Sequence, residues 1–222
     1  GAVEEHGISG KKRQLMIFDI VTFISIILAM LSLKSLVNVF PSLAACLIRS
    51  KESFNLEASV KLSRSRDAIA LAMIAPACLL AAKYRMYDPS FMSSFCLDTR
   101  LGIISGIFLT YVLFRFAVSR LIKPQRMPKK TYQTADKASH TFFTILTLIL
   151  LACCGIMSMF DAGESTIKSA MLWISAIVYL LFLVRKLEIF NSSCSVFTAF
   201  LYLCALEILP TGTLVVSAII FS

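Results

Sequence analysis

The sequence predicts an all-α, polytopic transmembrane helical bundle of about six spans. Three observations carry this. Hydrophobic residues make up 58% of the 222 positions and charged residues only 16%, with a mean hydropathy of +0.81; soluble domains carry about 25% charge. The charges are bunched, which leaves long uncharged runs. Six spans of about 20 residues need roughly 120 positions, which the length accommodates.

Residues 1–14 read as a polar N-terminal segment and 15–222 as a single transmembrane domain. Lys11, Lys12 and Arg13 before an apolar run have the layout of a signal peptide. Leu15–Leu33 is too long for the hydrophobic part of one and no small-x-small site closes it, so it is read as a retained first span, with Asp19 inside it. Ser35–Ile48, interrupted by Asn38 and Pro41, is short for a crossing and suits an interfacial or re-entrant segment better; a crossing there would change the side of every later loop. In Phe54–Arg66, Phe54, Leu56, Ala58, Val60 and Leu62 alternate with polar residues, a period of two that predicts an extended segment or short strand. Span two is Ala68–Ala82, about 22 Å of helix against a core of about 30 Å. Arg66, Asp67 and Lys83 then have to snorkel from its ends, and Pro76 should kink it. Span three runs from Leu101 to about Ile122, contains Arg115 and is stopped by Pro124 and Pro128. Span four, Ala138–Phe160, begins at an interfacial His140 and ends at the acidic turn Asp161–Glu164. Span five, Ser169–Val184, is closed by Arg185 and Lys186. Span six, near 195–221, is interrupted by Glu207 and Pro210.

Lys and Arg number 22 against 13 Asp and Glu, a formal charge of +9. In a membrane protein such an excess marks cytoplasmic loops and touches anionic headgroups, rather than nucleic acid. Assigned to alternate faces, fourteen basic residues fall on the side of loops 49–67 and 120–137 and seven on the other. The positive-inside rule places the richer face in the cytoplasm and both termini in the periplasm, although Lys11–Arg13 argue the other way. Lys123, Arg126, Lys129 and Lys130 form the basic loop expected to meet anionic lipid. Five of the seven cysteines lie in apolar runs without paired metal spacing, so they read as small hydrophobes. No cofactor or metal is expected.

No soluble-enzyme motif is present. Gly102 and Gly106 share one face of span three and suit close helix packing. The sharper signal is charge inside the spans, where a carboxylate costs several kcal/mol unless it is neutral, paired or wet. Glu207 lies near the middle of span six, and Pro210 leaves the Leu206 carbonyl without its helical donor. Together they suggest either a structural carboxyl bonded to a neighbouring helix or a proton or headgroup site. Arg115 has two outlets, the headgroups or Asp67 at the end of span two. Its depth differs from that of Glu207 by about 10 Å, so a direct pair is expected to strain both side chains. Asn191-Ser192-Ser193 fits a glycosylation sequon but falls on the face assigned to the cytoplasm.

Leu201-Tyr202-Leu203-Cys204-Ala205-Leu206-Glu207-Ile208-Leu209-Pro210 resembles the C-terminal signature of a Bacteroidetes family of polytopic membrane proteins known only as a domain of unknown function. The resemblance is clearest from about His140 onward. It implies a Gram-negative inner membrane and draws attention to Glu207 and Pro210, without supplying an activity. The expected function is a non-enzymatic integral subunit or accessory protein of an inner-membrane assembly, with other integral proteins and the bilayer as partners. The alternative is a small transporter or lipid-handling protein that uses Glu207 as an intramembrane polar site.

Overall fold

The computed structural model describes the backbone of residues 2–87, 95–121 and 128–220, and the side chains of these apart from 2–18, 33, 48, 50, 51, 129 and 130. Among the described residues the regular structure is entirely helical: α1 (Ala2–Ile48), α2 (Ser50–Ala58), α3 (Val60–Ala72), α4 (Ile74–Lys83), α5 (Leu97–Leu121), α6 (Lys129–Met159), α7 (Glu164–Asn191), α8 (Val196–Leu203), a π turn (Cys204–Ile208) and α9 (Leu209–Ile220). Among the described residues five helical stretches are long and apolar enough to cross a bilayer: Val60–Lys83, Leu97–Leu121, Thr131–Met159, Glu164–Asn191 and Val196–Ile220. A sixth candidate is the bent pair Asp19–Ser32 and Lys34–Leu47 within α1, whose arms meet at 71°. The chain is an all-α, multi-pass membrane bundle.

The second arm of α1 is a packing element. Val39, Leu43 and Cys46 recur at helical spacing and are buried against Leu56, Ile69, Met73 and Ile145 from α2, α3, α4's N-cap and α6.

The extended segment expected at Phe54–Arg66 is absent: α2 and α3 occupy it, broken only at Ser59, whose φ of −91° and ψ of 105° are extended. The buried positions are Ser53 and Leu56, then Ser63, Arg66, Ile69, Ala70 and Met73, a spacing of three to four. Alternating hydropathy misled because polar side chains face inward here, where they find partners.

The same inversion lengthens span two. Val60–Lys83 has 24 residues, about 36 Å of helix, so the short span expected at Ala68–Ala82 gains its missing turns from the polar segment before it. Arg66 does not snorkel; it is 2% exposed. Pro76 cannot donate to the Ala72 carbonyl, and the helix breaks at Met73, between α3 and α4.

Span five extends beyond the boundary read at Val184. α7 continues to Asn191, and Lys186 is buried inside the bundle rather than closing the helix. A four-residue turn then leads to α8, where the Ser195 hydroxyl accepts from the Thr198 N–H. α9 is held to neighbouring elements by Tyr111–Thr211 at 3.1 Å and Tyr87–Ser217 at 3.2 Å.

Candidate functional site, an ionic centre within the helices

Glu207 sits in the π turn, where the Leu209 N–H reaches the Cys204 carbonyl. One extra residue in the turn is the hallmark of a π bulge, a feature that often marks functional positions in helices. Pro210, three residues on, removes the donor that the Leu206 carbonyl would otherwise meet. The Glu207 carbonyl accepts from the Tyr179 hydroxyl at 3.2 Å.

The Glu207 carboxylate is 1% exposed and meets two cations. Its Oε1 accepts from Arg115 Nη2 at 2.7 Å and from Lys186 Nζ. Lys186 lies on a stripe of residues spaced by four, Val178, Phe182, Lys186 and Phe190, all buried. Its ammonium stands 5.5 Å from the Phe182 ring centre and 5.7 Å from that of Phe190, positions where aromatic faces attract a cation. Arg115 shares a face of α5 with Tyr111 and Ser119, each four residues away. Its Nη2 also stands 3.9 Å from Asp136 Oδ1 on α6. On the side closed by Ser119, Tyr132, Asp136 and Phe190 the packing leaves no water-sized void. Two cations on one dry carboxylate make a staple joining α5, α7 and the π turn.

The pairing of Arg115 with Glu207 corrects the expectation that their depths keep them apart. The depth difference compared backbones. Arg115 and Lys186 carry long side chains, and both reach inward to the carboxylate instead of outward to headgroups. Asp67, the other partner expected for Arg115, belongs to a second network. Arg66 donates to Glu57 at 3.0 Å and to Asp67 at 2.8 Å, and also to Ser63 at 3.1 Å. Lys137 Nζ lies 3.1 Å from Glu57 and 3.6 Å from Asp67. His140 Nδ1 is 3.0 Å from Asp67 Oδ1. This network joins α2, α3 and α6. Burial pushes the Glu57 carboxyl up, but the Lys137 hydrogen bond and the Arg66 guanidinium outweigh it and hold Glu57 below the ordinary carboxylate range.

The two networks face each other across a cleft of about 270 Å³, with Asp67, Arg115, Asp136 and His140 among its polar lining and Leu71 and Phe108 on its apolar side. Past Arg115 a smaller space of about 180 Å³ is bounded by Tyr179, Phe182 and Glu207.

The other residues singled out in the sequence stand apart. Asp19 is exposed on α1. Pro210 is buried and lines a groove of about 540 Å³ against α5. Among the described residues nothing packs closely on Gly102 or Gly106: a Cβ at either would meet nothing within 4 Å. α5 buries Leu101 and Ile104 instead and leaves the glycines outward. Lys123 and Arg126 lie outside the described residues, as do the side chains of Lys129 and Lys130. Among the described residues no cluster of His, Cys, Asp or Glu is placed to hold a metal ion.

Sequence reasoning missed Lys186, Glu57, Arg66, Asp136 and Lys137 as members of these networks. Lys186 carried a signal, its place on the four-residue apolar stripe of α7. The others read as loop charges because 49–67 and 120–137 were taken as loops, whereas α6 begins at Lys129.

Neither a curated protein nor a solved structure matches the sequence. The family model described as Domain of unknown function (DUF4271) matches residues 16–216, so the chain, including the whole ionic centre, belongs to that family.

Proposed function

We propose that this chain is a non-enzymatic integral subunit or accessory protein of an assembly in a bacterial inner membrane. The observation that supports this reading most is the saturation of Glu207. Its carboxylate is 1% exposed and is held by both Arg115 and Lys186. A carboxylate clamped by cations from two other helices holds those helices together. Gly102 and Gly106 add to the reading, because their unoccupied face suits close approach by a helix from another protein. The bacterial inner membrane follows from the resemblance of Leu201–Pro210 to a Bacteroidetes family. The surplus of Lys and Arg on the side of 49–67 and 120–137 supports a cytoplasmic position for that face and a periplasmic one for both termini.

Affinity purification at native expression in mild detergent tests the proposal. A stoichiometric integral partner is expected; a chain that purifies alone under these conditions refutes it. The second reading, a transporter or lipid-handling protein working through Glu207, is favoured by the space of about 180 Å³ that reaches Glu207 past Arg115. On that reading Glu207→Gln loses transport outright, and Lys186→Met, which restores its stability, does not restore transport.

A further inference from the structure

We propose that the cleft between α3–α4, α5 and α6 is a binding site for one anionic phospholipid, with its phosphate at Arg115 and an acyl chain along Leu71, Phe108 and Val112. The argument begins with charge. Arg115 and Lys186 share the single carboxylate of Glu207, so the enclosed centre carries one more cation than anion. An uncompensated charge in a low-dielectric setting draws a counter-charge. Two carboxylates of this chain also line the cleft. Asp67 is already matched by Arg66, Lys137 and His140. Asp136 stands 3.9 Å from Arg115, at the outer limit of an ion pair, with its side chain 52% exposed, so solvent screens it and it offsets the excess only in part. The excess therefore faces the cleft through Arg115.

The donors are in place for a phosphate. Arg115 meets Glu207 through Nη2, and its Nε and Nη1 make no hydrogen bond among the described residues. A guanidinium with donors to spare is suited to a phosphate oxygen. His140 engages Asp67 through Nδ1 and lines the same cleft. Arg115 is six residues from the Leu121 end of α5, about 9 Å, so a headgroup drawn inward by about two helical turns reaches it.

The rest of the cleft suits a chain rather than a free ion. Beyond the polar end it is lined by Ala70, Leu71, Ile74, Phe108 and Val112. Leu71 is 70% exposed, Val112 43% and Phe116 56%, so this wall is continuous with the surface that faces bilayer hydrocarbon. A lipid enters sideways from the membrane without crossing water.

Native mass spectrometry of the detergent-purified full chain, titrated separately with phosphatidylglycerol and phosphatidylcholine, tests the inference. One retained phosphatidylglycerol is expected, with about tenfold tighter binding than phosphatidylcholine. Arg115→Gln leaves Lys186 and Glu207 as a neutral pair and should equalise the two lipids. Leu71→Trp touches no charged group and should weaken retention of both by filling the chain groove. A phosphatidylglycerol preference that survives Arg115→Gln assigns it to charges elsewhere and overturns the proposal. So does undiminished retention in Leu71→Trp, which remains decisive if Arg115→Gln fails to fold.

Discussion

Replacing Glu207 by Gln while leaving its two cations in place should be among the most destabilising single changes in the chain. At 2.7 Å and an effective dielectric of about 20, the gross attraction between Arg115 and Glu207 is about 6 kcal/mol. Desolvation offsets most of it, at several kcal/mol per buried ion. That cost remains when the carboxylate is lost, because the Lys186 and Glu207 side chains are 2% and 1% exposed. Glu207→Gln therefore leaves an ammonium facing two aromatic rings and a guanidinium with only a distant aspartate. The expected loss is about 3–5 kcal/mol. This reverses the simpler view that Gln, by keeping shape and hydrogen bonds, preserves the fold.

The charge count distinguishes this from an ordinary hydrogen-bond deletion. Lys186→Met removes the surplus cation and keeps an unbranched side chain between Phe182 and Phe190. Glu207 keeps Arg115, so the change should cost within about 1 kcal/mol of zero. The double variant leaves Arg115 free to turn towards Asp136 and should lose only about 1–2 kcal/mol. The cycle then gives a coupling of about 2–3 kcal/mol in which Lys186→Met rescues Glu207→Gln. Unfolding in mixed micelles with increasing denaturing detergent measures each variant. If Glu207→Gln matches the parent, or Lys186→Met is as damaging as Glu207→Gln, the carboxylate is not clamped between two cations.

Glu57 lies outside the spans and supplies a pH dependence. Its carboxyl is held below its usual value, against burial, by Lys137 and Arg66. Its contribution is therefore complete above the ordinary Glu pKa of about 4.3 and lost as pH falls through the lower folded value. Thermal melting should show a gap between parent and Glu57→Gln that is open at neutral pH and closes in acid; an equal gap at both ends contradicts the network. Tyr179→Phe removes one bond to the Glu207 carbonyl and should cost about 0.5–1.5 kcal/mol in the same micelle assay; no measurable loss means that the π turn does not depend on it. Gly106→Ala should leave the purified chain as stable as the parent or up to about 1 kcal/mol more so, since the site is open and Ala favours helix. A loss of stability in the isolated chain would show that the glycine face packs within it. In a cysteine-free background, Lys51→Cys should resist an impermeant thiol reagent applied from the periplasm; rapid labelling reverses the assigned sidedness.

Hydropathy located two members of the ionic centre, Glu207 and Arg115, and its failures have a common cause. Glu207 was legible because a lone carboxylate in a long apolar run, beside Pro210, has no cheap way to remain unpaired. Lys186 was not, because beside Arg185 it looks like the basic end of a helix. The two neighbours point in different directions. Arg185 donates to the Leu47 carbonyl at 2.9 Å and to Glu188 at 2.7 Å, whereas Lys186 continues the stripe of Val178, Phe182 and Phe190. Face periodicity separates them and window averages do not. In 54–66 the failure is the reverse: alternating apolar residues took precedence over Ser63 and Arg66, which a helical reading turns inward towards Glu57.

These placements bear on which basic residues set the orientation of the chain. Arg66, Lys137 and Lys186 were counted among the charges of the richer face, yet each has a carboxylate partner: Glu57 or Asp67 for the first two, Glu207 for the third. Paired before or during assembly of the bundle, such cations contribute less to the leaflet field than loop residues without a partner. α6 sharpens the distinction, because Asp136 faces one network while Lys137 and His140, one and four residues further on, face the other. This helix is the wall shared by both ionic networks and by the cleft between them. Neutralising Lys137 should therefore disturb the packing of α2 and α3 without moving the chain's sidedness, whereas orientation should follow Arg49, between α1 and α2, and Lys51, in the first turn of α2.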